Sequence, residues 1–434
     1  MTQNENTARI VESFEQAKNG LPGGWLAGAR DGAIHNFAEA GFPTPRTEAW
    51  KYTNLNRLAR AEFDPLADIS LPDLNDWSAL FVEGCDRIVI VNGRFDAGAS
   101  AIGDLPDGVT VSPLSAAVEE IDPALEKDLA QIAPEDGAPL VALNTAFMRD
   151  GLVVRVANGV VLPRPVQVVH IVDGGTAAIA VHPRTLVIAG ENSAVTVIET
   201  FAGGADTSYW TNAVSEIRVG RNASVSHIKR QSESVSAYHT ALTQVRLDRD
   251  ARFSSLALAV GALLSRNEVN VAFEGEGAAC TLAGGALLRG RQHADSTTVA
   301  DHGVPHTSSS QIFRNVLDDN SRSVFQGGVI VRPDAQKTDS AQSNRNLLLS
   351  AGAQADSKPE LQIFADDVKC AHGATVGDLD EAAMFYLESR GIPPHQAKSL
   401  LIGAFVGEIF DGMPEGAVRA HIETAVADWM SGAK

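Results

Sequence analysis

Cysteine is almost missing from this chain of 434 residues, which has three, Cys85, Cys280 and Cys370. Three thiols cannot staple a protein of this length, so a disulfide scaffold is excluded and a reducing compartment is expected. Positive charge is in deficit: 35 Lys and Arg stand against 54 Asp and Glu, a formal net charge of −19. That argues against nucleic acid, whose phosphates are bound mainly by Lys and Arg. Long apolar runs are absent too. The longest nearly apolar stretch, FSSLALAVGALLS at 253–265, falls well short of the roughly 20 residues needed to cross a bilayer. The first twenty residues lack a basic segment followed by an apolar core, so no secretory leader is expected and the cytoplasm is the expected location. Three nucleotide or nucleophile signatures are missing: G-x-x-x-x-G-K-[ST], a G-x-G-x-x-G between strand and helix, and a G-x-S-x-G elbow.

What is present suits a folded protein rich in turns, with 44% apolar residues and 38 glycines. Residues 1–80 read as a helical region. GWLAGARDGAIHNFAEAGFP places Trp25, Leu26, Ala29, Ala33 and Phe37 at helical spacing and stops at Gly41 and Pro43. The following PRTEAWKYTNL is expected to anchor this region through Trp50 and Tyr52. Residues 81–372 read as strand, in alternating segments such as EVNVAFE, where Val269, Val271 and Phe273 share one face, and helical windows are almost absent. Residues 373–434 return to helix. Asp378 is the expected cap of the first helix with Glu381 three residues on, Gly391 its stop, and Pro393 and Pro394 open the second. A last amphipathic helix, AVRAHIETAVADWM, is expected to pack on this pair.

The strand region carries a repeat. GENSAVTVI starts at Gly190 and GRNASVSHI at Gly220, thirty residues on, with Asn, Val and Ile at matching places. DRDARFSSL at Asp248 and GEGAACTLA at Gly275 follow at 28 and 27 residues. DDNSRSVFQ at Asp318 and SAGAQADSK at Ser350 look like later members after a longer insertion. Such a period marks a unit that buries its apolar face only by stacking on its neighbours. All-strand rungs with Gly, Asn and Asp corners predict a parallel β-helix in preference to a β-sandwich, giving a mainly β protein flanked by N- and C-terminal helical regions.

Two clusters offer metal chemistry. Cys370 and His372 lie at i and i+2, on one face of a strand, and thiolate and imidazole both bind iron, zinc and copper. They supply two ligands where a closed site needs four. The alternatives are a core thiol beside a partly exposed histidine, or half of a site completed by another chain. ADHGVPH offers His302 and His306, with Asp301 and nearby His293, but its Gly and Pro predict a loop with solvated histidines. Cys280 reads as a core residue of one rung. Gln336, Lys337, Asp339, Gln342, Asn344 and Asn346 read as corner ladders. A β-helix carbohydrate enzyme using Asp334 and Asp339 is disfavoured by the missing leader and by 6% aromatic content.

The run FQGGVIVRPDAQKTDSAQSNRNLLLSAGAQADSKPELQIFADDVKCAHGATVGDLDEAAMFYLESRGI closely resembles the SufB/SufD family of iron–sulfur cluster assembly proteins. KCAHGAT and PRTEAWKYTNL resemble its SufD branch. The resemblance covers essentially the whole chain, densest from Val324 to Ile392 and thinner between about 60 and 280. It implies a right-handed β-helix between helical regions and a scaffold role without catalytic turnover. The implied partners are a SufB-like subunit, joined through the β-helix, and a SufC-like ATPase, docked by the C-terminal helices. It also implies a transient iron–sulfur cluster at the shared interface, held stably by neither chain alone, with His372 as ligand; Cys370 stays open between ligand and packing residue. Met384, Phe385, Leu400, Leu401 and Phe405 are then packing or docking residues of the helix pair. A homodimer of the isolated chain, holding no cluster, is the alternative.

Overall fold

The computed structural model describes residues 3–65, 74–120 and 122–432; the stretch 66–73 of the expected helical region lies outside them. Two facing sheets run the length of a parallel β-helix. The first sheet ends in the strands Ser224–Ser232, Arg252–Ala259, Ala279–Leu288, Ser308–Leu317, Asp339–Leu348 and Lys369–Gly377, each beside the next. The second ends in Tyr238–Leu247, Leu264–Phe273, His293–His302, Arg322–Val331 and Gln354–Ile363. The chain alternates between them, one strand in each per rung.

The strand registers reproduce the offsets read from the corners: Ala194 pairs with Ser224, Ser224 with Arg252 and Arg252 with Ala279. The corners work as the repeat requires. Asn192 and Asn222 sit at φ 57° and 53°, left-handed conformations that Asn tolerates, and Asn222 Nδ2 donates to Asn192 Oδ1 at 2.8 Å. At Gly220 a Cβ would lie 2.8 Å from the Ala189 carbonyl of the rung below, so close stacking demands glycine there.

Two expectations about the repeat need correction. The corners at Asp318 and Ser350 open Arg322–Val331 and Gln354–Ile363, which belong to the second sheet. No insertion precedes them, since Ala279 pairs directly with Ser308 and Ser308 with Asp339. A two-strand rung has two sets of corners, and both select the same turn residues. The strand region also holds helices, at Leu114–Glu119, Pro123–Asp128 and Pro139–Phe147. The last is buried at every residue from Leu140 to Phe147, and a helix apolar all round has no amphipathic period to detect.

Inside the lumen, inward residues stack in columns. Val195, Val225, Phe253 and Cys280 succeed one another in register and are all buried, confirming Cys280 as a core residue. Burying such side chains contributes about 1.5–3 kcal/mol each. His302 is buried as well, stacked 4.1 Å from Phe273 and bonded to Thr307 and Ser309, against the expectation of a solvated loop. His306 occupies a corner at φ 59°.

The N-terminal arm straps across the outside of the second sheet. Trp50 covers the Arg266 guanidinium at 4.0 Å. Thr53 donates to Asp295 at 2.5 Å and lies 2.9 Å from His293 Nε2. Trp50 anchors the arm as expected, but Thr53 takes the second place that Tyr52 was assigned, Tyr52 being only half-buried. At the other terminus, Pro394–Gly407 and Ala417–Ser431 pack on the first sheet. Ile402, Val406, Ile422 and Val426 meet Ile198, Ile228, Leu256 and Val316 in one cluster. The helix Glu381–Ser389 is capped by Asp380, whose carboxylate accepts from the Ala382 and Ala383 amides, rather than by Asp378. The last β-strand continues to Gly377, leaving three residues of linker and moving the cap past Asp378.

Candidate functional site

The two ends of the β-helix differ. At one, Arg94–Phe95 and Val109–Pro113 add antiparallel to the sheets, and Phe95 and Leu105 pack against the lumen core. At the other, Lys369–Gly377 and Gln354–Ile363 are the terminal strands, and no described strand pairs with their free edges. Most residues of these two strands are exposed or half-buried, and Ile363, Phe364 and Val376 are exposed there. An unpaired edge with exposed apolar side chains is a surface for another chain.

Cys370 and His372 lie on this last strand. Cys370 stands over Ser340 and His372 over Gln342, both inward positions of the strand below. The motif therefore faces the mouth of the lumen. Cys370 is half-buried against the lumen core; burial, then the nearby Asp339 charge, pushes its thiol up. His372 is exposed. No three His, Cys, Asp or Glu side chains among the described residues are grouped to hold a metal, so the two residues are brought together without further ligands. His293, His302 and His306 are dispersed, as their separate partners show.

The three thiols differ in environment. Burial raises Cys280 to about 12 and Cys85 to about 11. An aromatic disulfide reagent is expected to titrate Cys370 first in the native chain and to leave Cys280 untouched until unfolding; equal rates measured spectrophotometrically would contradict the burial order.

Of the expected docking residues, Phe385 and Leu400 are exposed at 74% and 55%, while Met384, Leu401 and Phe405 are half-buried. Glu381–Ser389 buries none of its residues. Tyr386, exposed at 57%, joins this patch and was not anticipated; its place beside Phe385 on a helix without a buried face was the available signal.

Sequence reasoning also missed a charged group inside the lumen. The Glu199 carboxylate accepts from Thr185 at 2.7 Å and Ser215 at 3.0 Å and pairs with His227 at 2.8 Å. Glu233 pairs with His239 at 2.7 Å and accepts from Thr211 at 2.6 Å. Lys229 donates to Asn267 at 3.0 Å and lies 4.9 Å from the Phe201 ring. Burial alone would raise the Glu199 carboxyl, but His227, with Lys229 and Thr185, outweighs it and holds the group below its ordinary range. Burial lowers Lys229 to about 8, against the pull of both carboxylates.

Family comparison places this architecture. The chain matches the SufBD N-terminal region over residues 11–168 and the SufBD core domain of the SUF iron–sulfur cluster assembly system over residues 170–405. The chain therefore belongs to the SufBD family of iron–sulfur cluster assembly proteins. Among its relatives, an iron–sulfur cluster assembly SufBD family protein of Synechocystis is 33% identical, with 98% of this chain and 97% of the relative covered. The iron–sulfur cluster assembly protein SufD of Escherichia coli is 29% identical over 92% of each chain, and SufD of Bacillus subtilis 28% identical over 93% of each.

Proposed function

We propose that this chain is a non-catalytic, SufD-like scaffold subunit, working in the cytoplasm, that completes an iron–sulfur assembly site with a SufB-like partner. The observation that carries this reading is the open last rung, where an exposed imidazole and a half-buried thiol sit on an unpaired strand edge. Two ligands are too few for a cluster held by one chain. They suffice where the partner contributes the rest, and the cluster is then transient cargo of the pair. His372 is the ligand; Cys370 supports it from the same face, as ligand or packing residue. The helices Glu381–Ser389 and Pro394–Gly407 dock a SufC-like ATPase, with Phe385 and Leu400 facing it and Met384, Leu401 and Phe405 beneath. ATP hydrolysis then alters the placement of the two β-helices and opens the site. Without the SufB-like chain, the same edge pairs two copies of this one, without a cluster. The expected division of the chain at 80 and 372 serves this reading with the last rung extended to Gly377.

The test is His372→Ala in the chain copurified with SufB-like and SufC-like partners. Retained iron and sulfide are expected to fall by more than about tenfold, the scale seen when even an outer-shell partner of a metal ligand is removed, while the native mass of the complex stays unchanged. Undiminished iron and sulfide would refute the ligand role.

A further inference from the structure

Along one column of the lumen the inward residue changes from alanine to asparagine as the open end is approached. Ala259 and Ala286 are followed in register by Asn315 and Asn346, and Val376 of the last strand closes the column. Asn315 and Asn346 are 2% and 3% exposed. Burying an amide in place of a methyl group is unfavourable unless its hydrogen bonds are made, so the partners of these two side chains show what the change accomplishes.

The bonds run as a ladder across four successive strands of the first sheet. The Ala286 backbone N–H donates to Asn315 Oδ1 at 3.0 Å, Asn315 Nδ2 to Asn346 Oδ1 at 2.8 Å, and Asn346 Nδ2 to the Thr375 carbonyl at 3.1 Å. Asn346 Nδ2 also donates to Asn344 Oδ1 at 2.8 Å, and Asn344 Oδ1 accepts in turn from Ser357 in the last strand of the second sheet. Asn346 thus uses both hydrogens of its amino group and its carbonyl oxygen. A buried network satisfied in this way is rigid, and this one ties both terminal strands to the rung below.

The last strand has little else to fix it. Lys369–Gly377 is paired on one side only. Of its inward residues, Cys370 packs against the lumen core, whereas His372, Ala374 and Val376 are exposed. Among the described residues no other side chain hydrogen-bonds to this strand. Gly373, next to His372, would meet nothing within 4 Å if it carried a Cβ. Packing therefore does not require glycine there, and glycine loosens a strand interior. His372 hangs between two fixed points, the Cys370 side chain and the Thr375 carbonyl. The second is about 10 Å along the strand at its usual rise per residue.

We infer that Asn346 is a positioning residue for the interfacial site. Through Thr375 it sets where the terminal strand holds the His372 imidazole. Through Asn344 and Ser357 it fixes that strand against its counterpart in the other sheet. A partner chain then meets an edge already in register, and less ordering is left for the moment of binding. The ladder belongs to this chain alone; its effect on the cluster rests on the proposed function.

The test pairs amide hydrogen exchange in the isolated full chain, diluted to the monomer, with iron and sulfide retention in the complex copurified with SufB-like and SufC-like partners. Asn346→Leu keeps the volume and removes every bond; Asn346→Asp keeps the acceptor for Asn315 and removes the donor to Thr375. In both, the amides of Lys369–Gly377 are expected to exchange about tenfold faster or more, the scale of one lost hydrogen bond, with Ser224–Ser232 unchanged. In the complex, Asn346→Leu is expected to lower retained iron and sulfide about tenfold, as for other outer-shell changes, at unchanged native mass. His372→Ala combined with Asn346→Leu is expected to lose no more than His372→Ala alone, since both act through one imidazole. Unchanged exchange in the last strand would overturn the inference, and an equal rise in every strand would do so by making Asn346 an ordinary core residue. Additive losses in the double variant would overturn it too. Undiminished iron and sulfide in His372→Ala would instead remove the proposed function, and exchange in the isolated chain would still decide whether the ladder holds the strand.

Discussion

Glu199→Ala is expected to destabilise the chain by about 3–5 kcal/mol, the range for removing one partner of a buried ion pair. The carboxylate is buried and answers His227 and Lys229 at once. Removing it leaves an imidazole and a buried ammonium facing an apolar ring with less opposing charge. Urea unfolding followed by circular dichroism measures the loss. The double variant Glu199→Ala with Lys229→Met is expected to recover part of it, because the unanswered charge goes too. Full additivity would show that the two groups are not coupled. The pH dependence has a definite sign. The Glu199 carboxyl is held low in the fold, so its stabilisation is complete above its unfolded value, near about 4.3. It is lost as pH falls toward the folded value, and the gap between wild type and Glu199→Ala is expected to narrow in acid.

Val406→Asp is expected to release the C-terminal helices from the sheet. Val406 is fully buried where Pro394–Gly407 meets the outer face of the first sheet. An unpaired carboxylate in that cluster costs several kcal/mol, on the order of 3–5 kcal/mol when no partner is available. Only residues 378–380 join the last strand to Glu381–Ser389, so undocking leaves the body of the β-helix intact. Limited proteolysis is expected to cut between 378 and 416 many times faster in the variant, with the far-ultraviolet strand signal preserved. Unchanged cleavage would mean that other contacts, such as Arg314 with Glu408 at 2.7 Å and Trp429 over Arg289 at 4.1 Å, suffice to hold the helices.

The parts of this fold legible in the sequence are those that repeat. Asn192 and Asn222 mark successive corners because each needs a left-handed backbone and the pair forms a ladder, so their spacing is the strand register itself. The corner at Asp318 misled because nothing local tells which of two sheets a turn will feed. The helix Pro139–Phe147 was hidden by its complete burial, and the cap at Asp380 by a strand running five residues past His372. The candidate site was legible only in part. Cys370 and His372 declare a shared face by spacing, but their place over the lumen mouth depends on which rung comes last. The Glu199 and Glu233 cluster escaped notice because a charged residue in an alternating strand normally faces water; here Lys229 and two histidines meet both carboxylates inside. Gln342, Asn344 and Asn346 were read as corner ladders, whereas they project between the sheets.

A rod with dissimilar tips accumulates neighbours differently from one whose tips match. The exposed tip offers a full strand in each sheet. The opposite tip ends instead on the short antiparallel pieces Arg94–Phe95 and Val109–Pro113. Two molecules joined at the exposed tip would leave a third only these pieces, two and five residues long. Head-to-tail filaments, the standing hazard of stacked-strand proteins, are thereby disfavoured.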